Sequence, residues 1–120
     1  MSNVLIVDDA AFMRFTLKNI LENNGFQVIG EAEDGRTAIS KYKELSPNLV
    51  TMDITMPEMN GLEALQEILK IDSKAKVVIV SALGQESIVK QAIAAGAKSY
   101  VLKPFKEEQV VTVLTQVASK

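Results

Sequence analysis

The stretch that decides the fold is LVTMD at residues 49–53, a short strand-forming run that ends in a single carboxylate. Two other segments share this design, VLIVDD at residues 4–9 and YVLKP at residues 100–104. Short runs rich in Val, Ile and Leu are typical of buried parallel strands, and in open α/β sheets ligands bind beyond the carboxyl ends of such strands. We therefore expect the three aspartates and the lysine that end these runs to converge at one edge of a sheet.

Strand-like and helical patterns alternate along the whole chain. The predicted strands are residues 4–7, 27–32, 49–53, 77–81 and 100–103. Apolar residues at helical spacing indicate a helix after each strand, with faces formed by Met13, Leu17, Ile20 and Leu21; Ala38, Tyr42 and Leu45; Leu62, Leu65, Ile68 and Leu69; Ile88, Val89, Ala92 and Ile93; and Val110, Val113, Leu114 and Val117. Five βα units imply a parallel sheet with right-handed crossovers and helices on both faces.

The polarity and length of the strands predict their order. The second strand contains Gly30 and Glu31, and the fifth is short, so we expect both at the edges of the sheet. This arrangement corresponds to the flavodoxin-like order 2-1-3-4-5, which places the ends of the first and third strands side by side. The expected fold is a doubly wound α/β domain that spans residues 1–120 without a linker or a second domain.

Composition limits the chemistry that the chain can perform. The 120 residues include no Cys and no His, so thiol catalysis, imidazole catalysis and the soft metal sites are excluded. A metal would be held by oxygen atoms, which favour Mg²⁺, Mn²⁺ or Ca²⁺. The formal net charge of -2 and the absence of a basic stripe indicate no nucleic-acid or membrane partner. No targeting leader precedes the first strand, so a cytoplasmic protein is expected.

The three strand-end aspartates predict a cation site. Two carboxylates about 4 Å apart repel each other by roughly 4 kcal/mol at an effective dielectric constant of 20. A divalent cation would remove this repulsion, and Lys103 would add a second positive group. A helix cap or a turn would explain Asp8, Asp9 or Asp53 taken singly. The combination of all three with Lys103 favours a functional site.

An aspartate in such a site can attack phosphorus and carry an aspartyl-phosphate. A metal ion and a lysine would then stabilise the charge on the transferring group. Ser81 ends the fourth strand, so its hydroxyl is a candidate donor to a phosphate oxygen. Taken alone, Ser81 is better explained as an ordinary strand-end residue.

One set of residues matches a known family in order and spacing: Asp8-Asp9, Asp53 with Met56-Pro57 and Gly61, Ser81-Ala82, and Lys103-Pro104-Phe105. The set resembles the receiver domain of two-component response regulators, and the resemblance covers the whole chain. Residues 8–14 and 51–61, together with the lack of an output domain, most resemble the single-domain regulators of bacterial chemotaxis.

The resemblance implies roles for the residues around the acidic site. Asp53 would be the phosphoacceptor and a ligand to Mg²⁺, for which Mn²⁺ could substitute. Asp9 would bind the metal directly, Asp8 would bind it through water, and the backbone carbonyl of Thr55 would be a further ligand. Lys103 would contact the phosphoryl group, and the peptide bond between Lys103 and Pro104 is expected to be cis.

The resemblance also implies a conformational switch. Ser81 would move toward the phosphate, and the ring of Tyr100 would turn inward behind it. From the sequence alone, Tyr100 is equally well explained as an aromatic residue on an edge strand. Thr55 and Leu83 match positions that flank the approach of hydrolytic water, and the apolar Leu83 suggests slow self-dephosphorylation.

The expected partners follow from the same resemblance. They are a CheA-like histidine kinase, a FliM-like flagellar motor switch protein and an aspartyl-phosphate phosphatase. The switch protein would dock on the surface formed by the fourth helix, the fifth strand and the fifth helix. The chain would be a monomeric binding switch and not a turnover enzyme, although it would catalyse its own phosphorylation and dephosphorylation.

Three alternatives remain at the level of sequence. A phosphatase or phosphotransferase of the haloacid dehalogenase type also uses an aspartate and magnesium, but such enzymes have a second Asp where this chain has Thr55. A flavodoxin-like cofactor binder is disfavoured because an acidic site would repel a flavin phosphate. A phosphorelay intermediate, or a receiver taken from a larger regulator, keeps the fold and changes the partner.

Overall fold

The computed structural model describes residues 2–120 as five consecutive βα units. The elements are β1 (Asn3–Val7), α1 (Ala11–Asn23), β2 (Gln27–Ala32), α2 (Gly35–Leu45), β3 (Leu49–Asp53), α3 (Gly61–Ile71), β4 (Val77–Ser81), α4 (Glu86–Ala95), β5 (Ser99–Leu102) and α5 (Glu107–Ala118). The predicted alternation of strands and helices is therefore confirmed.

The five strands form one parallel sheet in the order β2-β1-β3-β4-β5, as predicted. β5 ends at Leu102, one residue earlier than expected. The backbone N–H of Lys103 still donates to the carbonyl of Ser81 (2.7 Å). Pro104 follows a cis peptide bond and has no N–H with which to extend the ladder, so the strand stops there.

Two apolar cores lie on opposite faces of the sheet. Helices α2, α3 and α4 pack on one face, which includes Val50, Met52 and Ile79. Helices α1 and α5 pack on the other, which includes Ile6 and Val78. Because side chains alternate along a strand, each buried strand supplies both cores, and its end is fixed from both sides.

The predicted apolar face of α4 is only partly correct. Val89 and Ala92 are buried against the sheet, whereas Ile93 is exposed and lies beside Tyr100 at the edge of the sheet. The reason is that β5 is an edge strand, so α4 extends past the sheet and leaves one side of its apolar stripe uncovered. None of the helices within residues 2–120 combines the length and apolarity needed to cross a bilayer.

The loop after β3 returns tightly to the strand that it leaves. The backbone N–H of Gly61 donates to the carbonyl of Ile54 (2.8 Å), and a Cβ atom at position 61 would collide with the carbonyl of Asp53. Asn60 then begins α3 with a reciprocal capping box to Glu63. Glycine at position 61 thus lets α3 start directly against the end of β3, which fixes the position of Asp53.

Candidate functional site

The structure brings the three predicted carboxylates together at the carboxyl edge of the sheet. Asp8 follows β1 and Asp53 ends β3, and these two strands are neighbours. Asp8, Asp9 and Asp53 each offer one carboxylate oxygen within 4.8 Å of the others. We call this group the acidic cluster. Asp8 and Asp53 are buried, with 1% and 5% of their surface exposed, and Asp9 is exposed.

Lys103 joins the two buried members of the acidic cluster. Its Nζ lies 3.3 Å from Oδ2 of Asp8 and 3.2 Å from Oδ1 of Asp53. Burial lowers the pKa of Lys103, but the attraction of Asp53 and Asp8 outweighs burial and leaves that pKa above its ordinary value. The lysine therefore stays positive, and its charge offsets only part of the negative charge around it.

The surroundings of Asp53 oppose its ionisation. Burial and the neighbouring charge of Asp8 raise the pKa of Asp53 to about 6, and the attraction of Lys103 counteracts them only in part. At neutral pH the carboxylate is thus ionised at a free-energy cost. A hard divalent cation fits this oxygen-only donor set, because it would relieve the repulsion that Lys103 leaves.

The loop between β1 and α1 is held by two contacts. Oδ1 of Asp8 accepts a hydrogen bond from the backbone N–H of Ala10 (2.9 Å). Nη1 of Arg14 donates to the backbone carbonyl of Asp8 (2.7 Å), while its Nε donates to Oε1 of Glu31 (3.1 Å). Arg14 thus ties the loop that carries Asp8 and Asp9 to the end of β2. The sequence pattern of α1 carries no signal of this contact.

Ser81 is fully buried, and its Oγ has no hydrogen-bond partner among residues 2–120. It ends β4 one position after Val80, which pairs with Asp53 in the sheet. A buried hydroxyl without a partner is costly, and native structures rarely keep one without a reason. The Ser81 hydroxyl is therefore free to donate a hydrogen bond, and its strand lies next to the strand that carries Asp53.

Tyr100 and Ser81 border the same cavity, of about 460 Å³, between α4 and β5. Val89, Ile93 and Leu102 also line it. Tyr100 is exposed, with 47% of its surface accessible to solvent. The two residues of the predicted switch pair are thus connected by a largely apolar space at the edge of the sheet.

The side chain of Gln85 links the segments that follow β3 and β4. Oγ1 of Thr55 accepts a hydrogen bond from Nε2 of Gln85 (2.6 Å), and Oε1 of Gln85 accepts one from the backbone N–H of Ala82 (2.7 Å). Gln85 could not be found from the sequence, because nothing in its local pattern separates it from other polar residues at a helix start. Leu83 is 77% exposed in the same loop.

Comparison with known proteins identifies the family. The model of the response regulator receiver domain matches residues 4–115. The chain belongs to this family. Receiver domains of this kind are signalling proteins of two-component systems, so the dehalogenase-type and flavodoxin-like alternatives are not supported.

Similar receivers come from chemotaxis. The chain is 57% identical to the chemotaxis protein CheY of Thermotoga maritima over 115 residues, which cover 96% of each chain. It is 56% identical to CheY of Bacillus subtilis over 113 residues, or 94% of each chain. These similarities place the chain among CheY-like receivers of two-component signalling and chemotaxis.

Solved structures show the same fold. The match to CheY in the CheX–CheY–BeF3–Mg²⁺ complex of Borrelia burgdorferi has a TM-score of 0.94 at 40% identity and covers 99% of this chain and 90% of that one. The receiver domain of Thermotoga maritima CheB matches with a TM-score of 0.86 at 38% identity, covering 99% and 94%. The flavodoxin-like topology predicted from the sequence is the receiver topology.

Proposed function

We propose that this receiver is a phosphorylation-controlled binding switch of chemotaxis, in which Asp53 accepts a phosphoryl group from a CheA-like histidine kinase. The observation that carries the proposal is the acidic cluster, whose oxygens lie within 4.8 Å of one another while Lys103 contacts one oxygen of Asp53. Asp8, Asp9 and Asp53 would hold Mg²⁺, with the backbone carbonyl of Thr55 as a further ligand. The Borrelia relative was solved in a complex with BeF3 and Mg²⁺, which supports Mg²⁺ as the cation.

The transfer step needs no separate general base. Above a pH of about 6 Asp53 is a carboxylate, and one of its oxygens attacks the phosphorus atom of a phosphohistidine. The new O–P bond forms as the P–N bond breaks, and the electron pair leaves with the histidine nitrogen. The positive charge of Lys103 stabilises the negative charge on the equatorial oxygens of the transferring group. When bound, Mg²⁺ would supply further neutralisation of that charge.

The switch would begin at Ser81. Phosphorylation adds a charge of about -1.5 to -2 and three acceptor oxygens, and the unpartnered Oγ of Ser81 is a donor without a competing bond. Movement of Ser81 toward the phosphoryl group would widen the cavity that it shares with Tyr100. Tyr100 would then turn inward and change the surface of α4, β5 and α5, where a FliM-like motor protein would dock.

The supporting experiment is chemical labelling. The protein is incubated with a small phosphodonor and Mg²⁺, and the added phosphoryl mass is mapped by peptide mass spectrometry. We expect one label, on Asp53, that requires Mg²⁺ and is absent from Asp53→Asn. Asp72→Asn, which changes an exposed aspartate at the other end of the sheet, is the matched control and should label normally. A label on any other residue would overturn the proposal.

The lifetime of the phosphoryl group is a second test of the site. Leu83 lies at the surface beside the proposed approach of water and carries no group that would orient it. We expect Leu83→Asn to shorten the phosphoryl lifetime several-fold without affecting folding, because residue 83 is exposed. Decay of the label is followed by intact mass after removal of the phosphodonor. An unchanged lifetime would contradict slow self-dephosphorylation as a property of Leu83.

A phosphorelay intermediate is the second candidate function, and it would use the same site. Phosphoryl transfer from Asp53 to the histidine of a second protein would favour it, whereas binding of a motor protein only after phosphorylation would favour the chemotaxis switch. An aspartyl-phosphate phosphatase remains a further expected partner.

A further inference from the structure

The side chain of Gln85 connects the two loops that border Asp53. Thr55 lies two residues beyond Asp53, and Ala82 lies directly beyond Ser81 at the end of β4. The carboxamide of Gln85 donates to the Thr55 hydroxyl (2.6 Å) and accepts from the Ala82 N–H (2.7 Å). The bond to Ala82 is at the short end of the normal N–H···O range, and the bond to Thr55 is slightly shorter than that range. One side chain therefore spans the carboxyl edge of the sheet between β3 and β4.

The position of Gln85 makes this use of its side chain informative. Gln85 is the N-cap residue of α4, yet its side chain makes no capping hydrogen bond to the helix. The short side chains of Ser, Thr, Asp and Asn at this position stabilise a helix by accepting from its free N–H groups. In this chain the carboxamide instead binds groups outside the helix, one of them a backbone N–H at the edge where the acidic cluster lies.

We propose that Gln85 is a latch, a positioning residue that occupies the Ala82 N–H in the unphosphorylated receiver and releases it when Asp53 is phosphorylated. The inference rests on the proposed function of Asp53. Asp53 pairs with Val80 in the sheet, so the Ala82 N–H lies at the same edge, two residues beyond that pair. A phosphoryl oxygen is a charged acceptor and forms hydrogen bonds roughly twice as strong as those of a neutral amide oxygen.

The latch opposes phosphorylation because its hydrogen bond to Ala82 must break first. While the Gln85 carboxamide occupies the Ala82 N–H, that N–H is not available to a phosphoryl oxygen. The apparent affinity for the phosphoryl group is therefore lower. Removing the carboxamide should therefore strengthen binding of a phosphoryl group or its mimic. Gln85→Glu should weaken it, since a carboxylate holds the N–H more firmly and repels the incoming anion.

Thr55 provides a test that changes no charge. Thr55→Val keeps the shape of the side chain and removes the hydroxyl that holds the other end of the carboxamide. The latch should then be looser but present, so the gain in affinity should be smaller than for Gln85→Ala. Gln91→Ala, at an exposed position on the same helix, is the matched control for loss of a glutamine.

The experiment titrates beryllofluoride, a phosphoryl mimic, into each variant with saturating Mg²⁺, and follows the Ala82 amide by ¹⁵N NMR. We expect Gln85→Ala to bind about fivefold more tightly, the factor that corresponds to one neutral hydrogen bond. Thr55→Val should show a smaller gain, Gln91→Ala none, and Gln85→Glu a loss. In the metal-free protein, the Ala82 amide should exchange with solvent faster in Gln85→Ala than in the unaltered chain.

The outcomes separate the latch from the proposed function. Unchanged or weaker binding by Gln85→Ala, while the unaltered protein binds beryllofluoride, would overturn the latch and leave Asp53 as phosphoacceptor. Equal Ala82 exchange in the two metal-free proteins would also overturn the latch. Failure of the unaltered protein to bind beryllofluoride would overturn the proposed function and the latch together.

Discussion

Two aspartates at opposite ends of the sheet have opposite environments. Asp53 is buried beside Asp8, and its pKa is raised to about 6. Asp72 is exposed and accepts hydrogen bonds from the Tyr42 hydroxyl (2.8 Å) and the backbone N–H of Lys74 (3.0 Å). These bonds lower the pKa of Asp72, and the bond from Tyr42 has the larger effect. The carboxyl edge thus carries charges that cost stability in the metal-free protein, whereas the carboxylate at the amino edge is stabilised by neutral donors.

The largest expected effect on stability comes from removing the positive charge of Lys103 at the carboxyl edge of the sheet. Lys103→Met leaves Asp8 and Asp53 without their shared partner, and breaking such a partly buried pair costs about 3 kcal/mol. The loss in the free energy of unfolding should be complete at pH 8 and smaller at pH 5, where Asp53 is mostly protonated. Urea unfolding at both pH values without metal measures it.

Lys74→Met is the control for the amino edge. Lys74 is exposed, and an exposed lysine contributes little to stability. We expect a change close to zero at either pH. Equal losses of stability for Lys103→Met and Lys74→Met would contradict the difference in electrostatic environment between the two ends of the sheet.

The pH dependence of stability should differ between the two aspartates. Asp53 has a folded pKa above its unfolded value, so the native state binds more protons between about pH 4 and pH 6. Stability of the metal-free protein should therefore fall as the pH rises through this range. At about 1.4 kcal/mol per pH unit, the shift of the Asp53 pKa from 3.8 to about 6 corresponds to about 3 kcal/mol, which solvent screening reduces to about 2 kcal/mol. Denaturation of the unaltered protein and of Asp53→Asn across this range checks the slope, which the variant should lack.

Asp72 should show the reverse dependence. Its folded pKa is lowered, so it stabilises the native state above its unfolded value of about 3.8, and that contribution disappears as the pH falls through the folded pKa. Asp72→Asn should thus lower the unfolding midpoint at pH 7 and have no effect in acid. A loss that persists once the pH is below the folded pKa of Asp72 would assign the effect to something other than charge.

The smallest effect should come from Tyr42→Phe, which removes only the hydroxyl that donates to Asp72. Burial raises the pKa of Tyr42, so its hydroxyl keeps its proton at neutral pH. We expect a small fall in the urea midpoint and a return of the Asp72 pKa toward its usual value, measured by carbon NMR. Tyr100→Phe is the control, because that residue is exposed, and it should leave both quantities unchanged.

The sequence predicted the fold and the composition of the site because both depend on patterns that a chain shows directly. The polarity and length of the strands predicted the sheet order, and the charged residues at the strand ends predicted the meeting of Asp8 with Asp53. The roles of Arg14 and Gln85 could not be found in this way, since each binds a backbone group whose direction depends on a loop. The exposure of Ile93 was missed for a similar reason, because α4 extends past the edge strand.

The central claim is that the carboxyl edge holds repelling charges that a divalent cation neutralises. The most direct measurement is the free energy of unfolding of the unaltered protein and of Asp53→Asn at pH 8, with a chelator and with Mg²⁺. With chelator, we predict that Asp53→Asn is the more stable by about 2 kcal/mol, because relief of burial and repulsion outweighs the lost attraction to Lys103. Mg²⁺ at ten times its dissociation constant should stabilise the unaltered protein by about 1.4 kcal/mol and the variant less. Equal stability of the two proteins in chelator, with no response of either to Mg²⁺, would contradict the account.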